Sequence, residues 1–159
     1  MIKIAIIISL TVITLGMSAI YSWVHSRADD HIPLKCTASV VIFHPPFRAN
    51  LTLDFMYNQE NKTGLISVSG NVNEKNKRKG TVRRDVLFTW TEKYNTYKMS
   101  STKIIRFDNI DTLTDDFFAR ILPDFYVYPN NPLTYSFINQ GRSGFMIAIG
   151  KRPLFFCSR

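Results

Sequence analysis

The sequence predicts an all-β fold with one short helix: a small antiparallel β-barrel behind an N-terminal transmembrane helix. Three observations carry this reading. Apolar and polar residues alternate with a period of two along most of the chain beyond position 35. The period becomes helical in one short stretch, residues 112–123. The run Ile4 to Val24, "IAIIISLTVITLGMSAIYSWV", holds no charge.

That run is the first element. At ~1.5 Å per residue it spans a hydrocarbon core of ~30 Å. Tyr21 and Trp23 stand at its far end, where amphipathic rings favour the headgroup zone. Lys3 marks the near end as cytoplasmic. The rival reading is a cleaved signal peptide. Against it, the run exceeds a typical signal core of about 7–15 residues, and Met17 sits where a cleavage site wants a small residue. The expected organisation is an anchor over 1–24, a polar tether over 25–33 ("HSRADDHIP") and a barrel domain over 34–159.

The strands follow in order. "KCTASVVIF" (35–43) puts Cys36, Ala38, Val40 and Ile42 on one face, and "HPPF" ends it. "NLTLDFMYN" (50–58) alternates Leu51, Leu53, Phe55 and Tyr57 against polar neighbours and Met56. "GLISVSGNV" (64–72) and "TVRRDVLFTWT" (81–91) flank the charged turn "NEKNKRKG". "YNTYKMSSTKIIRF" (94–107) reads as one long, bulged strand. In "TLTDDFFARILP" (112–123), Phe117, Phe118, Ile121 and Leu122 predict a helix of two to three turns. Thr112 or Thr114 caps it and Pro123 stops it. "DFYVYPNNP" is an aromatic strand or loop. "LTYSFINQ" (133–140), "GFMIAIG" (144–150) and "PLFFCS" (153–158) complete about eight strands, which suggest a sandwich or barrel.

The two cysteines, Cys36 and Cys157, both follow the anchor. In an oxidising compartment an even pair reads as a disulfide, the alternative being two separate buried thiols. A barrel must bring its first and last strands together. Cys36 lies on the first predicted strand and Cys157 on the last, so the bond would staple the closing seam.

The formal net charge is +8, and leaving out Lys3, the only charged residue before position 25, leaves +7 on the remainder. Outside the inner membrane such charge suits lipid headgroups, lipopolysaccharide phosphates or an acidic partner, not DNA. Lys75, Lys77, Arg78 and Lys79 form a basic patch for a partner or membrane, or else a solvated hairpin. The three histidines have no metal-site spacing, and "GRSGF" has Phe145 where a nucleophile elbow needs glycine. No enzyme, cofactor or metal is expected.

Arg84 shares its predicted face with Val82, Val86, Phe88 and Trp90. A cation on an apolar face needs a partner or an exit to solvent. The expected ligand site is a barrel interior in which Phe55, Tyr57, Phe88 and Trp90 meet an anionic amphiphile and Arg84 holds its acid group. Arg84 snorkelling at the rim or bonding Asp54 is the competing expectation.

The anchor "MIKIAIIISLTVITLG", the first strand "LKCTASV" and the end "LFFCSR" together resemble the FidL-like membrane proteins of enteric bacteria. That resemblance implies a single-pass bacterial inner-membrane protein with a cytoplasmic N-terminus and a periplasmic domain. It implies a lipocalin-like barrel, closed by itself, open, or completed by a partner. The partner would be a ToxR-type membrane-spanning regulator with a cytoplasmic winged-helix domain, the chain standing to it as ToxS does. A bile salt or fatty-acid-like ligand would enter the cavity. The alternative is a stand-alone periplasmic lipid-binding or inhibitor module.

Overall fold

A computed structural model describes residues 13–22, 35–75 and 77–159. It divides into two compact units, residues 1–31 and 32–159. In the first, residues 13–22 form a helix, α1. Ile13, Leu15, Met17, Ile20 and Tyr21 are all exposed on it, and the Ser18 hydroxyl donates to the Leu15 carbonyl at 2.9 Å. Among the described residues no helix is long and apolar enough to cross a membrane. The rest of the expected anchor and all of the expected tether lie outside the described residues.

The second unit is a closed eight-stranded antiparallel barrel in simple sequence order. Its strands are β1 (Lys35–His44), β2 (Phe47–Asn58), β3 (Thr63–Glu74), β4 (Lys77–Lys93), β5 (Thr96–Arg106), β6 (Pro132–Asn139), β7 (Gly144–Ile149) and β8 (Arg152–Ser158). Each strand pairs with its chain neighbour, and β8 returns to β1. The expected barrel is thus present, and its sheet closes on the chain's own strands.

Alternation decides which side chains enter. Leu51, Leu53, Phe55 and Tyr57 of β2 are buried, while Met56 and Asn58 are exposed. The same pattern runs through β4, where Val82, Arg84, Val86, Phe88 and Trp90 all point inward. One glycine is required by packing: Gly64 pairs with Phe88, and a Cβ there would collide with the Phe88 ring.

Three details differ from the sequence expectation. The long strand over 94–107 begins at Thr96, because Tyr94 and Asn95, with φ of 51° and 55°, make a two-residue turn between β4 and β5. Two successive positive φ values match the right-handed twist of a hairpin. The charged turn shortens, because Lys77 to Gly80 belong to β4. The expected helix shrinks to α2 (Asp115–Phe118), capped by the Thr114 hydroxyl, which accepts from the Phe117 amide at 3.4 Å. The Phe118 carbonyl takes the amides of both Ile121 and Leu122, so the chain tightens into a turn before Pro123.

Residues 107–131 replace a stretch of barrel wall. β5 pairs with β6 only over Thr96–Ser100. Beyond it, buried Ser101 ties the loop down: its hydroxyl donates to the Tyr128 carbonyl at 2.8 Å and accepts from the Asn131 amide at 3.0 Å. Phe118, Phe125 and Tyr126 of this segment are fully buried and plug the barrel.

The closing seam is narrow. β1 and β8 share one register pair, Thr37 with Ser158. Beside it Cys36 and Cys157 form the expected disulfide, Cα atoms 5.5 Å apart, across a sequence separation of 121. The Ser158 hydroxyl adds a bond to the Thr37 carbonyl at 3.1 Å.

Because one residue pair holds the seam, the disulfide carries much of the closure. A chain-entropy estimate for a loop this long gives up to ~4–5 kcal/mol. The Cys36→Ser/Cys157→Ser variant should therefore unfold at markedly lower denaturant concentration than the oxidised parent. An unchanged midpoint would mean that strand pairing alone closes the sheet.

Candidate functional site

The structure places all five expected ligand residues inside the barrel, and it gives each of them a partner from the chain. The Trp90 indole N–H donates to the Thr63 carbonyl at 3.0 Å, and the Lys62 ammonium lies 4.3 Å from its ring centre. Tyr57 meets Phe88 at 5.5 Å, Trp90 at 6.1 Å and Phe137 at 5.8 Å, all edge to face. Phe88 meets Phe125 of the plug at 5.9 Å, and Phe55 meets Phe155 at 6.2 Å. Such contacts fill an interior rather than line a vacancy.

Arg84 is wholly buried and stands apart from these rings. It lies six residues from Trp90 along one strand, roughly 20 Å at ~3.3 Å per residue. Its Nε donates to Asp111 Oδ2 at 2.6 Å, and its Nη1 to Asp115 Oδ1 at 2.8 Å. Its Nη2 reaches Asp111 Oδ1 and the Leu113 carbonyl, each at 3.3 Å. The Phe118 ring lies 4.5 Å from the guanidinium carbon. The assignment of Arg84 to a ligand acid is therefore revised. The carboxylates it holds are the chain's own, and Asp54 instead accepts from the Thr37 hydroxyl at 2.6 Å.

Arg106, opposite Arg84 on β5, joins the same cluster. Its Nη1 donates to Asp115 Oδ1 at 3.3 Å and its Nη2 to the Leu113 carbonyl at 3.0 Å. Two guanidinium groups thus face two carboxylates and clamp the start of the plug to the wall. Removing one member leaves a buried charge uncompensated, which typically costs ~3–5 kcal/mol. Arg84→Leu should lower the denaturation midpoint accordingly, and adding Asp111→Leu should recover part of the loss. Full stability in the single variant would dismiss the clamp.

An open site lies at the seam. Past the Thr37–Ser158 pair, β1 and β8 diverge over a cleft of about 420 Å³. Val40 and Ile42 of β1 and Phe155 of β8 form its sides, with Leu51 and Leu53 of β2 behind them. Leu122, Tyr126 and Tyr135 close it from the plug and from β6. No charged residue lines it. The hydroxyls of Tyr126 and Tyr135 are 2.9 Å apart, each the other's partner. Such a pocket suits an apolar body with at most one hydroxyl or carbonyl to recognise.

Sequence reasoning missed Tyr126 and Tyr135 as site residues. The signal was present in the aromatic density of "DFYVYP", but nothing local said which rings would face the first strand. It likewise missed Asp111 and Asp115 as partners for Arg84. The clue was two acids just beyond the strand that follows Arg84.

A family model described as "YqeJ C-terminal domain" matches residues 33–157. The chain belongs to this family. A YqeJ relative, the "Uncharacterized protein YqeJ" of Escherichia coli (strain K12), is 42% identical over 124 residues, which is 78% of this chain and 78% of that protein. No solved structure matches the chain. The YqeJ match covers the barrel, its plug and both cysteines.

Burial raises the phenol pKa values of this YqeJ-type core. Tyr126 and Tyr57 are pushed well above the ordinary value of 10.0, chiefly by desolvation, with the neighbouring Tyr135 phenol adding to it. Tyr135 rises to about 12, its bond to Tyr126 pulling the other way. Burial favours the neutral phenols, so their contribution is complete below pH 10 and is lost as pH rises through the folded-state values. Melting temperature should fall steeply between pH 10 and 12, with phenolate absorbance rising together with unfolding. Tyr126→Phe/Tyr135→Phe should flatten that fall, and an equally steep fall in the double variant would remove these phenols from the account.

Proposed function

We propose that this chain is a single-pass bacterial inner-membrane protein whose periplasmic barrel accompanies and stabilises a ToxR-type winged-helix regulator. In this reading it takes an amphipathic ligand, such as a bile salt or fatty acid, in the seam cleft. The single observation that carries the binding half is that cleft: apolar, free of charge and bounded by strands unpaired on their facing edges. The regulator half rests on the resemblance stated from the sequence. The absence of charge from α1 and its exposed apolar side chains agree with an anchor.

The ligand's apolar body would lie against Leu51, Leu53 and Phe155, with its acid group left at the mouth. Exposed Arg120 precedes Ile121, and exposed Lys151 and Arg152 lie between Ile149 and Leu154, so cations adjoin three of the residues that line the cleft. The regulator's periplasmic segment has a place at the same seam, where Val41, Phe43 and Leu154 are exposed. Because the barrel closes unaided, the partner would cover this edge rather than supply a missing strand. Closure without a partner also favours the second reading, a stand-alone lipid-binding or inhibitor module.

Titration of deoxycholate against the full chain in nanodiscs should show saturable binding. Ile42→Trp, which fills the mouth, should weaken it tenfold or more, equivalent to about 1.4 kcal/mol. Trp90→Phe should leave it unchanged. Unsaturable binding, or an Ile42→Trp variant that binds like the parent, would refute the cleft assignment. Purification from native membranes should bring with it a single-span protein bearing a cytoplasmic winged-helix domain, and purification of the chain without one would favour the stand-alone module.

A further inference from the structure

A second surface lies on the outside of the barrel, at the end carrying the β1–β2 and β3–β4 turns. The register sets Phe43, Arg48, Asn73 and Arg78 in one row across four strands. The adjoining row places Asn50 and Asn71 side by side. A depression of about 520 Å³ lies among Phe43, Pro46, Arg48, Asn50, Asn73 and Lys75.

The chemistry of this row is unusual for a solvated face. Phe43 is 73% exposed, the most exposed phenylalanine among the described residues. Among those residues Arg48, Lys75 and Arg78 pair with no carboxylate, whereas Lys79 is held by Glu74 at 3.3 Å. The Asn50 amide donates to the Asn71 side-chain oxygen at 3.2 Å, which leaves the Asn50 oxygen and the Asn71 amide group to other partners. The Asn73 side chain makes no hydrogen bond among the described residues.

We infer that this face binds a phosphorylated oligosaccharide. Each part of the row has its counterpart in that ligand. An exposed phenyl ring offers an apolar face for a sugar ring. Side-chain amides both donate to and accept from hydroxyls. Guanidinium groups grip phosphate with two parallel hydrogen bonds. Arg48 and Arg78 stand two strands apart, roughly 10 Å at ~4.8 Å per strand, a span that suits phosphates on neighbouring sugars.

Other polyanions fit less well. Disulfides persist in oxidising compartments outside the cytosol, where nucleic acid is not the prevailing phosphate. A bilayer surface calls for a broad apolar face dipping among the headgroups. Here one ring borders a concave, amide-lined depression, the shape for a discrete head. This inference does not depend on the seam cleft, although the two surfaces adjoin at Phe43, which borders both.

The test uses the full chain in phosphatidylcholine nanodiscs. The probes are phosphorylated core oligosaccharide released from lipopolysaccharide, the same material after phosphatase treatment, and phosphatidylglycerol vesicles. The phosphorylated form should bind saturably. Dephosphorylation, or Arg48→Gln with Arg78→Gln, should weaken binding at least tenfold. Phe43→Ser and Asn73→Ala should each weaken it about fivefold. Lys98→Gln, an exposed cation on β5, should leave it unchanged. All these positions are on the surface, and unaltered melting temperatures would show that the fold is kept. Equal binding of the dephosphorylated form would overturn the inference. So would Phe43→Ser and Asn73→Ala variants that bind like the parent, since net charge alone would then account for the binding. Vesicles bound as tightly as the oligosaccharide, with the same dependence on the row, would assign the face to a bilayer instead.

Discussion

The closing of the sheet at Cys36 and Cys157 is the constraint on which the rest of this barrel depends. Eight strands in sequence order pair generously with their neighbours, but the return from β8 to β1 rests on one register pair and one covalent bond. Because the bond sits at the start of β1 and the end of β8, it fixes one end of the seam and leaves the other free to splay. The cleft follows directly from that placement. A disulfide midway along the strands would have drawn Val40 and Ile42 against β8 and left no opening.

The plug supplies the second half of the same solution. β5 and β6 part after five paired residues, and a sheet that parts must cover the exposed interior with something. Residues 107–131 do so by sending Phe118, Phe125 and Tyr126 inward, with Arg84, Arg106, Asp111 and Asp115 fastening the segment. Buried ion pairs gain little net stability over a well-packed apolar core but are costly to break singly. Their use here is positional. They set where the plug enters, and so which of its side chains reach the seam: Ile121, Leu122, Pro123 and Tyr126.

Interior and exterior divide the chemistry between them. Inside, aromatic rings pack on one another and buried phenols are held neutral, and the cleft at the seam is apolar. Outside, the excess of cations gathers near the β3–β4 turn, beside one exposed phenyl ring and a group of amides. A molecule that met both surfaces would need an apolar body for one and anionic sugars for the other. They are better understood as two sites that adjoin at Phe43 on β1.

Much of the fold was legible in the sequence, and its limits have a plain physical cause. The strands were visible because a barrel wall must alternate every second residue, and that period lies in neighbouring positions such as Leu51, Leu53, Phe55 and Tyr57. The seam disulfide was visible because there are two cysteines, one on each terminal strand. The turn at Tyr94–Asn95 was not, since it uses positive φ without a glycine to announce it. The reach of the helix was not, since Phe118, Ile121 and Leu122 answer to a cavity rather than to a helical face. Above all, the partner of Arg84 was not. Asp111 and Asp115 lie 27 and 31 positions further on, and only a closed barrel with a plug brings them to a guanidinium that an isolated strand would have left for a ligand. Local periodicity determined which residues face inward. Which inward residues meet one another, and where the wall is left open, was decided by the tertiary structure, because both depend on contacts between positions that the chain holds far apart.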